Sequence, residues 1–378
     1  MKKTLTAAAV LGALSGAAMA TEVTLYGVVD MGFTYQHTEG GDDSFAMTSG
    51  NYAGPRFGFK GTEDLGDNLT LGFVLEAGFN SDTGAQGEDG KILNRESQIY
   101  LSGDWGTFGF GRVGGFSSGM SSLSWYWDFE PFETGYVDAG IQASQVNVWN
   151  VHSNTIYYVS PTFAGAKLGV QYSLTNEADD EDDRWVNNSK WLNVALRWDG
   201  SNVKVIGAVE AEFYGDSSEY YGTDYDTKNW EDAFSYKLAA TWTPGSGATT
   251  LYAGLNYFTN NRRMSDANWN EDDFDSDLLK TSSDAYDAIS GFLGVRYTVG
   301  SANWLAQVQY QDGEFEGAPS GQDGDFKRYA VGLGCHYYFS NRTMGYAVVS
   351  WAKGEGWLNK DENTTNRTAA SIGLTHSF

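Results

Sequence analysis

The chain has 378 residues, a net charge of −25 and a single cysteine, Cys335. The acidic balance makes nucleic acid an improbable partner, since phosphate binding needs clustered Lys and Arg, and one cysteine excludes an internal disulfide. No segment after the first twenty residues approaches the roughly 18 uninterrupted apolar residues that a membrane helix needs, so a helical membrane protein is excluded.

Residues 1–20 read as a cleavable secretion leader. Lys2 and Lys3 form the charged region, residues 5–18 are apolar and small, and Ala18-Met19-Ala20 is the cleavage site. The competing reading is a membrane anchor, which would need a longer core less rich in Ala and Gly. The mature chain is then 21–378, one domain without linker or low-complexity segment. The mean hydropathy of −0.41 suits a water-filled barrel as well as a soluble protein, because half of each barrel strand faces the lumen.

From Val23 onward the pattern has period two. Val23, Leu25 and Val29 alternate with Thr24, Tyr26 and Asp30. Phe57 and Phe59 face out, so Arg56 and Lys60 face in; Arg95 begins the fourth strand. Leu192, Val194, Leu196 and Trp198 oppose Asn193 and Arg197; Phe234, Tyr236, Leu238 and Trp242 oppose Lys237 and Thr241. Parity also turns Lys204 and Arg296 inward. The chain ends on Ile372, Leu374, His376 and Phe378 against Ser371, Thr375 and Ser377. One apolar and one polar face per strand suits a wall between lipid and water.

Seven short turns interrupt the strands, at residues 63–68, 103–106, 163–165, 199–202, 244–247, 300–303 and 340–342. Each is rich in the Gly, Asn or Asp that such turns require. Longer polar connections lie between them. The fold predicted is a 16-stranded antiparallel transmembrane β-barrel with seven turns at one end and eight long loops at the other. A soluble sandwich also alternates, but it needs no leader and rarely such regular loop asymmetry.

The longest connection, from about Gly114 to His152, exceeds the usual loop length. It carries Asp128, Glu130, Glu133 and Asp138 among Trp125, Trp127, Phe129, Phe132 and Tyr136. It is expected to fold into the lumen, with Asp128, Glu130 and Glu133 facing a basic wall of Arg56, Lys60 and Arg95. Two further loops, 176–189 and 260–285, are strongly acidic. Asp273, Asp275 and Asp277 resemble the start of an EF-hand, but Leu278 and Asp284 break that pattern. The four histidines lack metal-ligand spacing and no catalytic motif is present, so no cofactor, metal or enzymatic activity is expected.

Several segments resemble one family. Val23-Thr24-Leu25-Tyr26-Gly27-Val28-Val29-Asp30, residues 55–66 (PRFGFKGTEDLG), Phe110-Gly111-Arg112, Tyr338-Phe339-Ser340-Asn341-Arg342-Thr343 and Gly373-Leu374-Thr375-His376-Ser377-Phe378 look like Gram-negative general porins of the neisserial and betaproteobacterial branch. The resemblance covers the mature chain. It implies an outer-membrane homotrimer passing small hydrophilic solutes and ions, with no nucleic acid as partner. It also implies a wall cluster at Arg56 and Arg95, and a terminal Phe378 read by the outer-membrane assembly machinery. A third family arginine falls where this chain has Tyr157, and the third loop carries Glu130-Pro131-Phe132 in place of Pro-Glu-Phe. Both departures, the few inward bases and the acidic loops point to a mildly cation-favouring channel. The alternatives are a sugar- or dicarboxylate-preferring channel, an outer-membrane hydrolase, and an adhesin acting through its acidic loops.

Overall fold

A computed structural model describes residues 22–88, 90–132, 136–141, 144, 151–174, 189–215, 217–220, 223–226, 230–245, 247–261, 285–316, 324–359 and 366–378. The wall starts with β1 (Glu22–Thr38), β2 in two arms (Ser44–Ser49 and Arg56–Gly66), β3 (Leu69–Gly78), β4 (Glu96–Gly103) and β5 (Gly106–Gly114). It continues with β6 (Val151–Val159), β7 (Ala166–Ser173), β8 (Lys190–Asp199), β9 (Val203–Phe213), β10 (Ala233–Trp242) and β11 (Thr249–Asn261). The last strands are β12 (Tyr286–Val299), β13 (Ala302–Phe315), β14 (Asp325–Tyr338), β15 (Thr343–Gly356) and β16 (Arg367–Ser377). Each strand pairs antiparallel with its sequence neighbours, and β1 pairs with β16 from Val28↔Ser377 to Thr38↔Arg367. The sheet is therefore a closed barrel of sixteen strands. Among the described residues no helix is long and apolar enough to cross a membrane, which does not bear on a strand-built wall.

The predicted alternation sets the two faces. Leu25, Leu196, Leu238, Leu255, Leu293 and Ile372 are exposed on the outside, whereas Asp30, Asn193, Glu210, Lys237, Asn256 and Gln307 are buried on the inside. An apolar exterior of that extent suits hydrocarbon rather than water. Near the short turns the outer face ends in Trp105, Trp198, Trp242, Trp304 and Tyr337, all exposed. Their amphipathic rings suit a membrane interface. All seven predicted turns join the expected strands; the first uses Asp67 and Asn68 at φ 50° and 61°, which these residues tolerate. Cys335 stands on the apolar outer side, beside Met31, Tyr337 and Ala347.

Two segments depart from simple hairpins. A small separate hairpin, Ser217–Tyr220 with Thr223–Asp226, occupies the β9–β10 connection. The second strand is broken: its upper arm pairs with β1 as far as Met31↔Ser49, and its lower arm begins at Val28↔Arg56.

The last residue closes the barrel. Phe378 N–H donates to the Gly27 carbonyl at 3.1 Å, and Gly27 N–H donates to the Phe378 carbonyl at 3.2 Å. The Phe378 ring lies where a side chain on residue 27 would stand: a Cβ there would be 2.3 Å from Phe378 Cζ and 2.7 Å from the Arg56 carbonyl oxygen. Gly27→Val is therefore expected to destabilise the closed barrel by about 1–3 kcal/mol through overpacking. Heat-modifiable mobility in gel electrophoresis reads this as a lower transition temperature. An unchanged transition would show that the seam tolerates a side chain.

Candidate functional site

The connection from β5 to β6 lies along inward-facing side chains of the wall. At its start the Phe116 amide donates to Gln171 Oε1 and Asn193 Oδ1, both at 3.1 Å. The Ser117 hydroxyl donates to Glu210, whose other oxygen pairs with Lys237 Nζ at 3.3 Å. A one-turn 3-10 helix, Tyr126–Phe129, follows. Arg197 spans it, donating to the Trp125 carbonyl at 3.2 Å and pairing with Asp128 at 2.6 Å. Arg296 donates to the Pro131 carbonyl at 2.9 Å. Gln307 and Gln309 donate to the Ala139 and Gly140 carbonyls at 3.1 and 2.8 Å. Each contact gives a loop main-chain group or a buried charge the partner it needs away from water.

Apolar packing fixes the same segment. Phe116, Trp125, Tyr126, Phe129 and Ile141 form one cluster with Ala195, Ile206, Ala208, Ala239 and Phe292 of the wall. By strand parity those wall residues point into the lumen, an apolar patch on an otherwise polar face. Its small side chains make room for the loop rings. Burial pushes the Tyr126 phenol above its ordinary pKa, with the charges of Glu130 and Glu210 adding to the shift.

Asp138 was expected only as one loop acid among several. It is fully buried and pairs with Arg328 of β14 at 2.6 Å and Arg367 of β16 at 2.5 Å. These partners lie far apart in sequence, and no local spacing marks them.

Across from this segment stand β1 to β4. Arg56 begins the lower arm of β2 and Arg95 immediately precedes β4, and Glu76 of β3 sits between their guanidinium groups. Its Oε1 is 2.7 Å from Arg95 Nε and its Oε2 is 3.6 Å from Arg56 Nε. The Tyr26 hydroxyl also donates to Glu76 at 2.9 Å. Lys60 is inward and exposed, 5.2 Å above the Tyr26 ring. Glu96, beside Arg95 in the chain, accepts from the Ser122 hydroxyl at 2.6 Å and the Ser122 amide at 3.2 Å. The Tyr157 hydroxyl donates to Gln98. The wall predicted as basic thus carries two carboxylates among its cations. Sequence reasoning missed Glu76, although its place opposite Gly58 and two residues before Gly78 gave the inward parity needed to find it.

The three predicted loop acids separate. Asp128 is exposed and pairs with Arg197, not with Arg56 or Arg95. Glu130 is buried and accepts from the Phe132 amide at 3.1 Å. Glu133 lies outside the described residues, as do the acidic stretches except Ser189, Asn260, Asn261 and Ala285. Among the described residues no group of three or more His, Cys, Asp or Glu is placed to hold a metal ion.

Removing Asp138 leaves the buried Arg328 and the largely buried Arg367 without their carboxylate, and breaking a buried pair typically costs about 3–5 kcal/mol. Asp138→Ala is expected to loosen the β5–β6 segment while the barrel stays closed. Limited proteolysis of the detergent-folded protein should cut within residues 115–150 faster than in the unaltered chain. Equal cleavage rates would show that the apolar cluster alone holds the loop.

The family model described as Gram-negative porin matches residues 6–356. An outer membrane porin protein of Bordetella pertussis is 32% identical over the whole of both chains. A major outer membrane protein P.IB of Neisseria sicca is 29% identical, also over the whole of both. Among solved structures, the anion-selective porin from Comamonas acidovorans is similar with a TM-score of 0.67 and 20% identity, covering 95% of this chain and 100% of that one. With the closed barrel, the apolar exterior and the polar interior, these likenesses make one assignment: the chain belongs to the Gram-negative porins, as a β-barrel channel for solutes in the outer membrane and not an enzyme.

Proposed function

We propose that this porin is a passive diffusion channel for small hydrophilic solutes and ions with a mild preference for cations. The narrowest part lies between the β5–β6 segment and the wall bearing Arg56, Lys60 and Arg95. The observation that carries the charge reading is Glu76, held 2.7 Å from Arg95 and 3.6 Å from Arg56. It cancels part of the positive field where anions would be drawn, and Glu96 cancels more. The exposed carboxylate of Asp128 adds negative charge on the loop side, partly answered by Arg197. With the wall near balance, the net negative charge of the chain, −25 with the leader's Lys2 and Lys3 and more negative without them, sets the sign of the weak field that remains. A channel graded for one sugar would need aromatic rings tracking its opening, and Tyr126, Phe129 and Phe132 are instead buried against the wall.

The mature channel begins at Thr21 after leader removal, assembles as a homotrimer, and offers Phe378 to the assembly machinery. These points follow from the leader pattern and the family resemblance. Mass spectrometry of the outer-membrane form checks the first, and native electrophoresis before and after heating checks the second.

The deciding experiment is conductance of the purified protein in a planar bilayer, with reversal potential under a potassium chloride gradient. Openings in groups of three with a cation-sided potential are expected. Glu76→Gln should move the potential toward anions, because Arg56 and Arg95 lose their counter-charge. An anion-sided potential in the unaltered protein would overturn the cation preference and leave the channel; folded protein without conductance would overturn the channel itself.

A further inference from the structure

We infer that the break in β2 is a second element narrowing the pore, and that Asp30 is the positioning residue that holds it there. Six residues, 50–55, stand opposite only Val29 and Asp30 of β1. The four in excess cannot lie in the ladder and bulge from it. Their contacts point inward. The Tyr52 ring packs edge-on against His336 with centroids 5.2 Å apart, and against Tyr136 of the β5–β6 segment at 6.2 Å. The Tyr136 amide donates to the Asn51 carbonyl at 3.4 Å.

Asp30 clamps this bulge. Its side chain is fully buried on the inner face of β1. The carboxylate accepts from the Tyr52 amide at 3.3 Å, the Ala53 amide at 3.2 Å and the Tyr346 hydroxyl at 2.9 Å. Its own carbonyl accepts from the Gly50 amide at 3.2 Å. A carboxylate taking several N–H and O–H donors is a strong fixed point. An apolar residue at 30 would leave those amides buried without partners.

The bulge also meets the charged wall. The Gly54 carbonyl accepts from Arg56 Nη1 at 2.9 Å. A Cβ on Gly54 would lie 2.9 Å from Arg95 Nη1, so the end of the Arg95 side chain packs against the bulge at this glycine. One inward fold therefore touches Tyr136 of the β5–β6 segment on one side and both wall arginines on the other. It sets the width of the opening and where its positive charge stands. Asp30 acts through it on both.

The excess is an even number, so both arms of β2 keep the same faces. Phe45 and Met47 above the break and Phe57 and Phe59 below it are all exposed outside. Deleting residues 51–54 would place Gly50 opposite Asp30 and Pro55 opposite Val29, and join the arms without turning a side chain over. The variant has no bulge to clamp, and Asp30 keeps the Tyr346 hydroxyl as a partner.

Three variants test this in planar bilayers: Asp30→Ala, Asp30→Asn and the deletion of residues 51–54. Closure is checked first by heat-modifiable mobility. The deletion should raise single-channel conductance, by roughly 1.5-fold or more if the bulge shapes the narrowest section, and should shift the cation-to-anion permeability ratio as Arg56 and Arg95 lose their support. Asp30→Ala should shift both in the same direction, and Asp30→Asn, which keeps an acceptor oxygen, by less. A merely structural Asp30 would lower thermal stability and leave the permeability ratio alone. Closed variants with unaltered conductance and ratio would overturn the inference. The inference rests on the diffusion-channel reading; that reading fails separately, on silence of the unaltered protein.

Discussion

A backbone amide in hydrocarbon has no water to bind, so every N–H and C=O in the wall must find its partner within the sheet. An open edge would leave a row of such groups bare, and the pairing of β1 with β16 removes it. Much of the molecule follows from that closure. With the ladder complete, side chains alternate strictly between lipid and lumen, and the lipid face can hold little but apolar and aromatic residues. All freedom to specialise is confined to the inner face and the connections. A segment that narrows the bore must come from a connection or a bulge, and its own main chain must be satisfied by inward side chains. Gln171, Asn193, Gln307, Gln309 and Arg296 have that task, each offering a donor or acceptor to the loop backbone.

The same economy governs charge. A buried ion without a partner is far costlier than a buried pair. Asp138 answers two arginines, Glu210 answers Lys237, and Glu76 answers Arg95. Charges spent in this way give shape rather than a long-range field, because each is neutralised within a few ångströms. The inward cations counted from sequence therefore overstate the positive field. Arg197, Lys237, Arg56 and Arg95 all have a carboxylate beside them. Lys60 is the predicted wall cation that stands exposed over an aromatic ring.

The barrel was legible because its signals are local. Period two is visible within a single strand, as in Leu192–Trp198, and turn chemistry within four residues, as at Pro244-Gly245. The site was less so, because its geometry joins residues far apart in the chain. Asp138 meets Arg328 and Arg367 only once the barrel has closed. Asp128 and Glu130, two residues apart, end in opposite environments, one exposed and one buried. Two signals were present and could have been read. Ala195, Ile206, Ala208 and Ala239 are apolar residues at inward parity, which on a wetted wall makes sense only if something covers them. Gly50-Asn51-Tyr52-Ala53-Gly54-Pro55 has turn composition where the hairpin pattern calls for strand, and its length is a bulge rather than a loop.

The position of that bulge matters as much as its presence. It ends at Arg56, which pairs with Gly78 two residues from Glu76. The in-folded chain and the charged cluster therefore stand at nearly the same height. A field acts most strongly on an ion where the passage is narrow and the walls are of low dielectric. By sequence the β7–β8 and β11–β12 connections are rich in acids, and the influence of a charge acting through solvent fades over about 8 Å at physiological ionic strength. A few charges beside the opening can therefore outweigh many in those connections. Glu76 and Glu96 then matter more to the sign of selectivity than their number suggests, because they offset two of the three wall cations, Arg56, Lys60 and Arg95. The cation preference proposed above therefore depends on a wall so nearly balanced that weak, salt-sensitive fields elsewhere decide the sign.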